Sequence, residues 1–157
     1  MRESTVLPAE LAQYLGDHIP LSNAMGVSVL AISEDAITLQ APLAPNINHR
    51  RTVFGGSASA LAILAGWALL HVRLRSEGIA GRLVIQRNVM EYEHPIPGAF
   101  TARATLERPD RWKPFTSMLM RKGKARITVL AVLEHMDQVV GRFSGQFVAF
   151  ATTGPAS

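Results

Sequence analysis

The chain carries the run Asn46-Ile47-Asn48-His49-Arg50-Arg51-Thr52-Val53-Phe54-Gly55-Gly56-Ser57, and an apolar segment at residues 58–72 follows it. Because that segment is apolar around most of a helical circumference, it predicts a buried helix from residue 57 to residue 76. The first N–H groups of a helix have no partners within it, and the helix dipole is positive there. The sequence therefore predicts a place for an anion or an oxyanion at this helix start.

Outside this segment the sequence predicts one short helix and six strands in a single domain, residues 1–157. The short helix is expected at Pro8–His18, within an N-terminal helical segment of residues 1–24. Polar turns and alternating apolar residues predict strands at residues 25–32, 36–41, 83–92, 100–106, 127–134 and 139–150. We expect residues 110–114 to form a basic surface loop and residues 152–157 a frayed tail.

The composition excludes several kinds of chemistry. The chain has no cysteine, which rules out disulfides, thiolate nucleophiles and cysteine-bound zinc. The histidines lack metal-ligand spacing, so no metal site is predicted. The first residues do not have the order of a secretory signal, and the apolar segment is shorter than the ~20 residues of a membrane span. These features predict a cytoplasmic protein that does not insert into a membrane.

Positive charge is concentrated in residues 103–126. Half of the chain's 16 Lys and Arg residues lie there, with only two acidic residues beside them. Such a window suits a polyanion, for which nucleic acid, the phosphates of coenzyme A and an acidic carrier protein are candidates, although a solvated face is equally compatible. No RNA-binding or DNA-binding motif accompanies the charge, so nucleic acid is not predicted as a partner.

The predicted order of elements is that of the hotdog fold, an α+β fold in which an antiparallel sheet wraps around one long helix. Asn48, the triplet Phe54-Gly55-Gly56 and Leu61 resemble the Asn, His-Gly-Gly, Leu pattern of hotdog acyl-CoA thioesterases. Residues 95–98 and 122–127 also look like those enzymes. Residues 45–70 are similar to the thioesterase-like domain that lies C-terminal to a GNAT-type acetyltransferase domain in some bacterial proteins.

The chain departs from that pattern where the better understood enzymes carry their acid and histidine. In those enzymes a carboxylate seven residues after the second glycine acts as general base or nucleophile, and the matching residue here is Ile63. Phe54 replaces the histidine, and Arg51 replaces a preceding glycine. The predicted long helix therefore carries no acid that could activate water.

Three candidate catalytic groups remain in the loop and the helix start. The resemblance implies that the N–H of Gly56, with that of Ser57, stabilises the oxyanion of a thioester intermediate, and that Asn48 orients the carbonyl or the water. His49 is the candidate base, since it is the group in this loop that titrates near neutral pH. Alternatively, the asparagines satisfy loop backbone, the glycines serve close packing, and Ser57 is an N-cap or first-turn residue.

Further residues are expected to contact the substrate. Alternation along residues 83–94 places Asn88 and Tyr92 on one face with Gln86, Met90 and His94, from where Asn88 and Tyr92 would reach the reacting centre if that face looks at the long helix. A structural role for these buried polar groups is the alternative. The full set of expected substrate-binding residues comprises Asn46, Phe54, Gly55, Ser57, Asn88, Tyr92, Arg82, Arg121 and Lys122, of which the last three would meet phosphates.

Two functions follow from the resemblance. The first is hydrolysis of an acyl-CoA or acyl-carrier-protein thioester at the start of the long helix, with coenzyme A or phosphopantetheine as part of the substrate and no other cofactor. The second is a non-catalytic module that binds acyl thioesters, which the missing acid and histidine favour. Because hotdog domains join their sheets edge to edge, we expect a homodimer or a dimer of dimers.

Overall fold

The computed structural model describes residues 6–152, and within that range four α-helices and six β-strands form. Residues 153–157 of the predicted tail lie outside it. Two short 3₁₀ turns, Ala44–Asn46 and Pro109–Arg111, complete the elements. The helices and strands in chain order are α1 (Pro8–His18), α2 (Pro20–Met25), β1 (Ser28–Ile32), β2 (Ala36–Ala41), α3 (Gly55–Ser76), β3 (Gly81–Tyr92), β4 (Phe100–Leu106), α4 (Trp112–Lys122), β5 (Lys124–His135) and β6 (Gln138–Ala151).

The strands form one antiparallel sheet in the order β1-β2-β4-β5-β6-β3, and α3 packs against five of them. Leu61, Ala65 and Leu69 of α3 are fully buried in this contact. The predicted hotdog architecture is therefore confirmed. Among the described helices, only α3 is long and apolar enough to cross a membrane, and it is the core helix of this fold.

Small residues let α3 approach the sheet closely. A Cβ atom added at Gly66 would lie 3.0 Å from the ring of Phe147 and 3.3 Å from Val129, two residues that are themselves buried. The helix axis can therefore sit nearer the strands than a larger side chain at this position would allow. This contact fixes the height of α3 above the sheet, and with it the position of both helix ends.

A β-bulge at Gln86 changes the alternation of β3. Ile85 pairs with Phe147 and Asn88 with Gly145, while Gln86 has no opposite residue on β6. Because the two partners are two residues apart, Ile85 and Asn88 share the inner face of the sheet. The predicted grouping of Asn88 with Met90 and Tyr92 holds, but the grouping of Gln86 with them does not.

Two predictions about the remaining elements are wrong. Residues 112–122 form a helix, α4, instead of continuing a surface loop, because Trp112, Phe115 and Leu119 have helical spacing and bury one face in the core. The indole N–H of Trp112 donates to Glu77 at 2.8 Å. The first strand begins at residue 28 instead of residue 25, since residues 20–25 form α2, which ends at Gly26 with φ of 73°.

A stack of aromatic rings holds α1 against α3. The Tyr14 ring stacks on His18 at 4.0 Å and on His71 at 4.5 Å between centroids, and His71 stacks on Trp67 at 4.7 Å. Burial, followed by the charges of Arg75 and His18, lowers the pKa of His71 from 6.5 to about 4. His71 is consequently neutral in the folded protein near neutral pH.

This shift predicts a loss of stability in mild acid. The unfolded chain binds a proton at His71 below about pH 6.5 and the folded chain only near pH 4, so the stabilisation is complete above pH 6.5 and is lost as the pH falls toward 4. Between about pH 7 and about pH 5 we expect a loss of ~1–2 kcal/mol in the free energy of unfolding, measured by urea denaturation.

The matched variants for this measurement are His71→Phe, which keeps a stacking ring without a titrating nitrogen, and His49→Gln, which alters an exposed histidine. We expect His71→Phe to flatten the pH dependence and His49→Gln to leave it unchanged. If the free energy of unfolding depends on pH equally in wild type and His71→Phe, His71 does not cause the loss of stability in acid.

Candidate functional site

The loop before α3 is built around the side chain of Asn48. Its Oδ1 atom accepts the N–H groups of Arg50 at 2.8 Å and Thr52 at 3.1 Å, and its Nδ2 atom donates to the Thr52 hydroxyl at 3.0 Å. Arg51 has φ of 62°, the left-handed conformation that glycine adopts most easily. That conformation explains a glycine in the related pattern at this position. The Asn48 side chain thus directs its hydrogen bonds into the loop.

Asn46 ties this loop to the rest of the fold. It is 2% exposed, and its Nδ2 atom donates to the carbonyl oxygens of Met25 at 2.9 Å and Pro42 at 2.8 Å. Its own carbonyl oxygen accepts the N–H of Phe54 at 2.7 Å. These bonds give Asn46 a structural role that fixes where α3 begins.

The start of α3 has no side-chain cap. Phe54 is the N-cap residue, and its carbonyl oxygen accepts the N–H groups of Ser57 at 2.9 Å and Ala58 at 3.1 Å. Within residues 6–152, no acceptor forms a hydrogen bond with the N–H of Gly55 or Gly56. Ser57 lies in the first turn, one of the two places expected for it, and its N–H is already used. The available donors at this helix end are the two glycine N–H groups.

Tyr92, at the end of β3, flanks the helix start. Its hydroxyl donates to the carbonyl oxygen of Gly55 at 3.2 Å, and a Cβ atom on Gly55 would lie 3.4 Å from its ring. The side chain is 59% exposed. The structure thus brings Tyr92 to the glycine pair, where the sequence placed it.

A groove of about 330 Å³ runs along Tyr92 and Gly55. Two titratable side chains that the sequence did not assign to catalysis, Glu93 and His94, lie in it. Glu93 accepts a hydrogen bond from Arg142 Nε at 3.0 Å, which neutralises its charge locally, and His94 is exposed. The complete lining consists of Thr52, Val53, Gly55, Met90, Tyr92, Glu93, His94, Pro95, Ile96 and Val140.

The sequence holds only a weak signal for these two residues. The N–H groups of both Glu93 and His94 point to the carbonyl oxygen of Val140, so strand alternation ends at Tyr92 and both side chains can meet the groove. Alternation continued to residue 94 places them on opposite faces. A Pro-Ile-Pro-Gly run directly after His94 is the one indication that the strand stops there.

The remaining predicted residues do not line the groove. His49 is exposed at the tip of the loop turn, Phe54 is 59% exposed, and Asn88 is exposed along β3. Arg82, Arg121 and Lys122 lie at the opposite end of α3, because Gly81 packs beside Leu119 of α4. The 22 residues of α3 separate the two regions by about 33 Å.

Ile63 faces an apolar groove instead of the polar one. This second groove, of about 310 Å³, lies between α2, α3 and the free edge of β3. Trp67 shares it, with its indole N–H donating to the carbonyl oxygen of Leu83 at 3.3 Å. A carboxylate at position 63 would be placed among hydrocarbon side chains, so the isoleucine suits its surroundings.

The comparisons with known proteins agree with this architecture. A family model described as "Putative thioesterase (yiiD_Cterm)" matches residues 8–151. A solved protein of unknown function from Chlorobaculum tepidum is 30% identical, with 92% of this chain and 94% of that chain covered and a TM-score of 0.85. A putative thioesterase from Shewanella oneidensis is 25% identical, with coverage of 91% and 96% and a TM-score of 0.82.

A more distant structure shares the fold alone. A thioesterase from Haemophilus influenzae is 15% identical to this chain, with coverage of 98% and 96% and a TM-score of 0.77. Each likeness extends over nearly the full length of both chains, so the sheet, α3 and the loop before it are parts of one shared architecture.

We predict that Asn48→Ala destabilises the protein, because it leaves two backbone N–H groups of the loop without their acceptor. The expected cost is ~1–3 kcal/mol in the free energy of unfolding. Thermal unfolding measures it, with His49→Ala as the neighbouring control, since that exposed side chain forms none of these bonds. Equal unfolding temperatures for Asn48→Ala and wild type would show that the loop does not depend on Asn48.

Proposed function

We propose, from the premise that the chain belongs to the putative thioesterase family yiiD_Cterm, that it hydrolyses an acyl thioester at the start of α3. The observation that carries this proposal is the uncapped helix start, where the N–H groups of Gly55 and Gly56 are available beside a groove that contains a histidine. Membership of this family shows that the chain is a thioesterase-like hotdog protein.

The chemistry of a thioester fits these donors. When water attacks the carbonyl carbon, negative charge develops on the carbonyl oxygen, and an N–H at the positive end of a helix stabilises it. We assign this role to Gly56, in line with the related pattern, with Asn48 acting through the loop that positions it. One such donor contributes ~3 kcal/mol to transition-state stabilisation.

A base is also required, and α3 does not supply one because Ile63 occupies the usual position of the acid. We propose that His94 removes a proton from the attacking water, since its imidazole lines the groove beside Gly55. The tetrahedral intermediate then collapses, the carbon–sulfur bond breaks, and the imidazolium returns its proton to the leaving thiolate. His49, the base that the sequence favours, is the alternative.

The free edge of β3 supports a homodimer. β3 is the last strand of the sheet, and Val84, Val89 and Tyr92 are exposed along it. We propose that two β3 strands pair antiparallel about a twofold axis, which removes the open edges and brings Arg82 of the partner subunit close to Tyr92. Arg82, Arg121 and Lys122 of that subunit would then meet the phosphates of the substrate.

We also propose that the substrate is an acyl-CoA or an acyl carrier protein, that no separate cofactor takes part, and that the protein acts in the cytoplasm. Association of two homodimers into a dimer of dimers is a further prediction. The alternative, binding of acyl thioesters without hydrolysis, follows from the absence of an acid at position 63.

Histidine substitutions test the proposed base. We expect His94→Ala to lower kcat for acyl-CoA hydrolysis ~100-fold, because general-base catalysis is lost, and His49→Ala to keep near wild-type turnover. Release of free thiol from acyl-CoA esters of several chain lengths is the measurement. The reverse ranking would assign the base to His49, and saturable binding with no turnover in wild type would support the binding module.

A second pair of variants tests the oxyanion donor. Gly56→Pro removes the N–H, and proline is tolerated in the first turn of a helix. Gly56→Ala is the matched control, since its Cβ displaces the exposed Phe54 ring in the same way but keeps the N–H. We expect kcat of Gly56→Pro to be ~100-fold below that of Gly56→Ala. Equal kcat values for the two variants would rule out the Gly56 N–H as a donor.

A further inference from the structure

A basic groove of about 530 Å³ lies between α4 and the first residues of β5. Four exposed cations line it, and its lining residues include no carboxylate. Among the described residues, ion pairs engage Arg108 and Arg142 but none of these four side chains. We call this surface the basic groove and define it by Arg111, Arg121, Lys124 and Arg126.

Arg111 and Arg126 also line a neighbouring depression of about 200 Å³, together with Glu107 and with Arg108, which is ion-paired with Asp110. Methionines lie beside the cations, since Met118 lines the groove with 40% of its surface exposed and Met120 on the same helix is 67% exposed. The surface therefore combines unpaired positive charge with adaptable apolar side chains.

These features favour an acidic protein over nucleic acid. Binding of single-stranded nucleic acid relies on several exposed aromatic rings on which bases stack. Trp112 and Phe115 of α4 are buried, and the partly exposed Phe150 ring already faces the Lys124 ammonium at 5.5 Å. An acidic helix offers carboxylates to the arginines and apolar side chains to the methionines at the same time. We propose that the basic groove docks an acidic acyl carrier protein that delivers the thioester, an inference that rests on the proposed hydrolase function.

The position of the groove implies delivery to the other subunit. α4 lies at the C-terminal end of α3, about 33 Å from the glycine N–H groups of the same chain. An extended phosphopantetheine arm spans about 20 Å, the length of six extended residues. Antiparallel pairing of two β3 strands places the start of one strand beside the end of the other, so a docked carrier reaches the site of the partner subunit.

Charge reversal in the groove tests the docking. Arg126→Glu alters an arginine shared by both depressions and lies outside the residues assigned to the substrate phosphates. Arg103→Glu is the matched control, because this exposed arginine lies on the same outward sheet face and pairs with Val132, about 20 Å along β5 from Arg126. Both variants change the net charge equally.

The expected result is selective. Arg126→Glu should lower kcat/KM for an octanoyl acyl carrier protein ~10-fold or more while kcat/KM for octanoyl-CoA stays within ~2-fold, and Arg103→Glu should leave both unchanged. Raising sodium chloride from about 50 to about 300 mM should reduce the wild-type rate with the carrier more than that of Arg126→Glu. Equal losses for both substrates, or none, would overturn the proposal.

A binding measurement tests docking of the carrier independently of thioester hydrolysis. Holo acyl carrier protein without an acyl chain is titrated onto each variant, so hydrolysis plays no part. Weaker binding to Arg126→Glu alone supports the docking even if neither substrate is hydrolysed. Unchanged binding to Arg126→Glu, no binding to wild type, or tighter binding of a DNA oligonucleotide than of the carrier would overturn it.

A mixed dimer tests delivery between subunits. One chain carries Arg126→Glu and the other Gly56→Pro, and the heterodimer is purified through two different tags. Delivery to the partner leaves one intact groove facing one intact site, so turnover of the octanoyl carrier should exceed that of either homodimeric variant. Turnover no higher than in the homodimeric variants would show that a carrier serves the chain on which it docks.

Discussion

Burial of α3 against a single sheet is the constraint on which the rest of the structure depends. The helix is too apolar to be exposed, and the small residue at position 66 lets it settle against Phe147 and Val129. Strands on both sides of it then bury its other faces. Because the middle of the helix is fixed in this way, its two ends are held at defined places, and each end carries a different function in the proposed mechanism.

The start of α3 is kept open by bonds made elsewhere. A side-chain cap would use the first N–H groups of the helix, but the residue before Gly55 is a phenylalanine. The Asn48 side chain bonds within the loop, and the Asn46 amide group donates to Met25 and Pro42. The loop is thereby rigid without occupying the helix end. This division leaves the glycine N–H groups available while the two asparagines hold the loop that positions them.

Much of the fold, and the uncapped helix start proposed as the site, could be predicted from the sequence alone. The strongly apolar helix and the long strands are predictable because local composition and burial agree in them. α4 is not, since its exposed lysines and arginines mask the buried spacing of Trp112, Phe115 and Leu119. His94 is missed for a different reason: its entry into the groove depends on where β3 ends against Val140, a contact between residues far apart in the chain.

In the proposed mechanism, the length of α3 couples catalysis to assembly. Its positive end needs a polar groove, while its other end is covered by α4 and by the cations that α4 and β5 present. A ligand of the size of phosphopantetheine cannot span the helix, so one chain offers a site and a docking surface that do not serve each other. Pairing two copies through the β3 edge resolves this separation, because a twofold axis places unlike ends together. In this arrangement the chain can carry Ile63 where related enzymes carry a carboxylate. The middle of α3 then packs with hydrocarbon side chains, because the polar groups of the proposed site lie at the helix start.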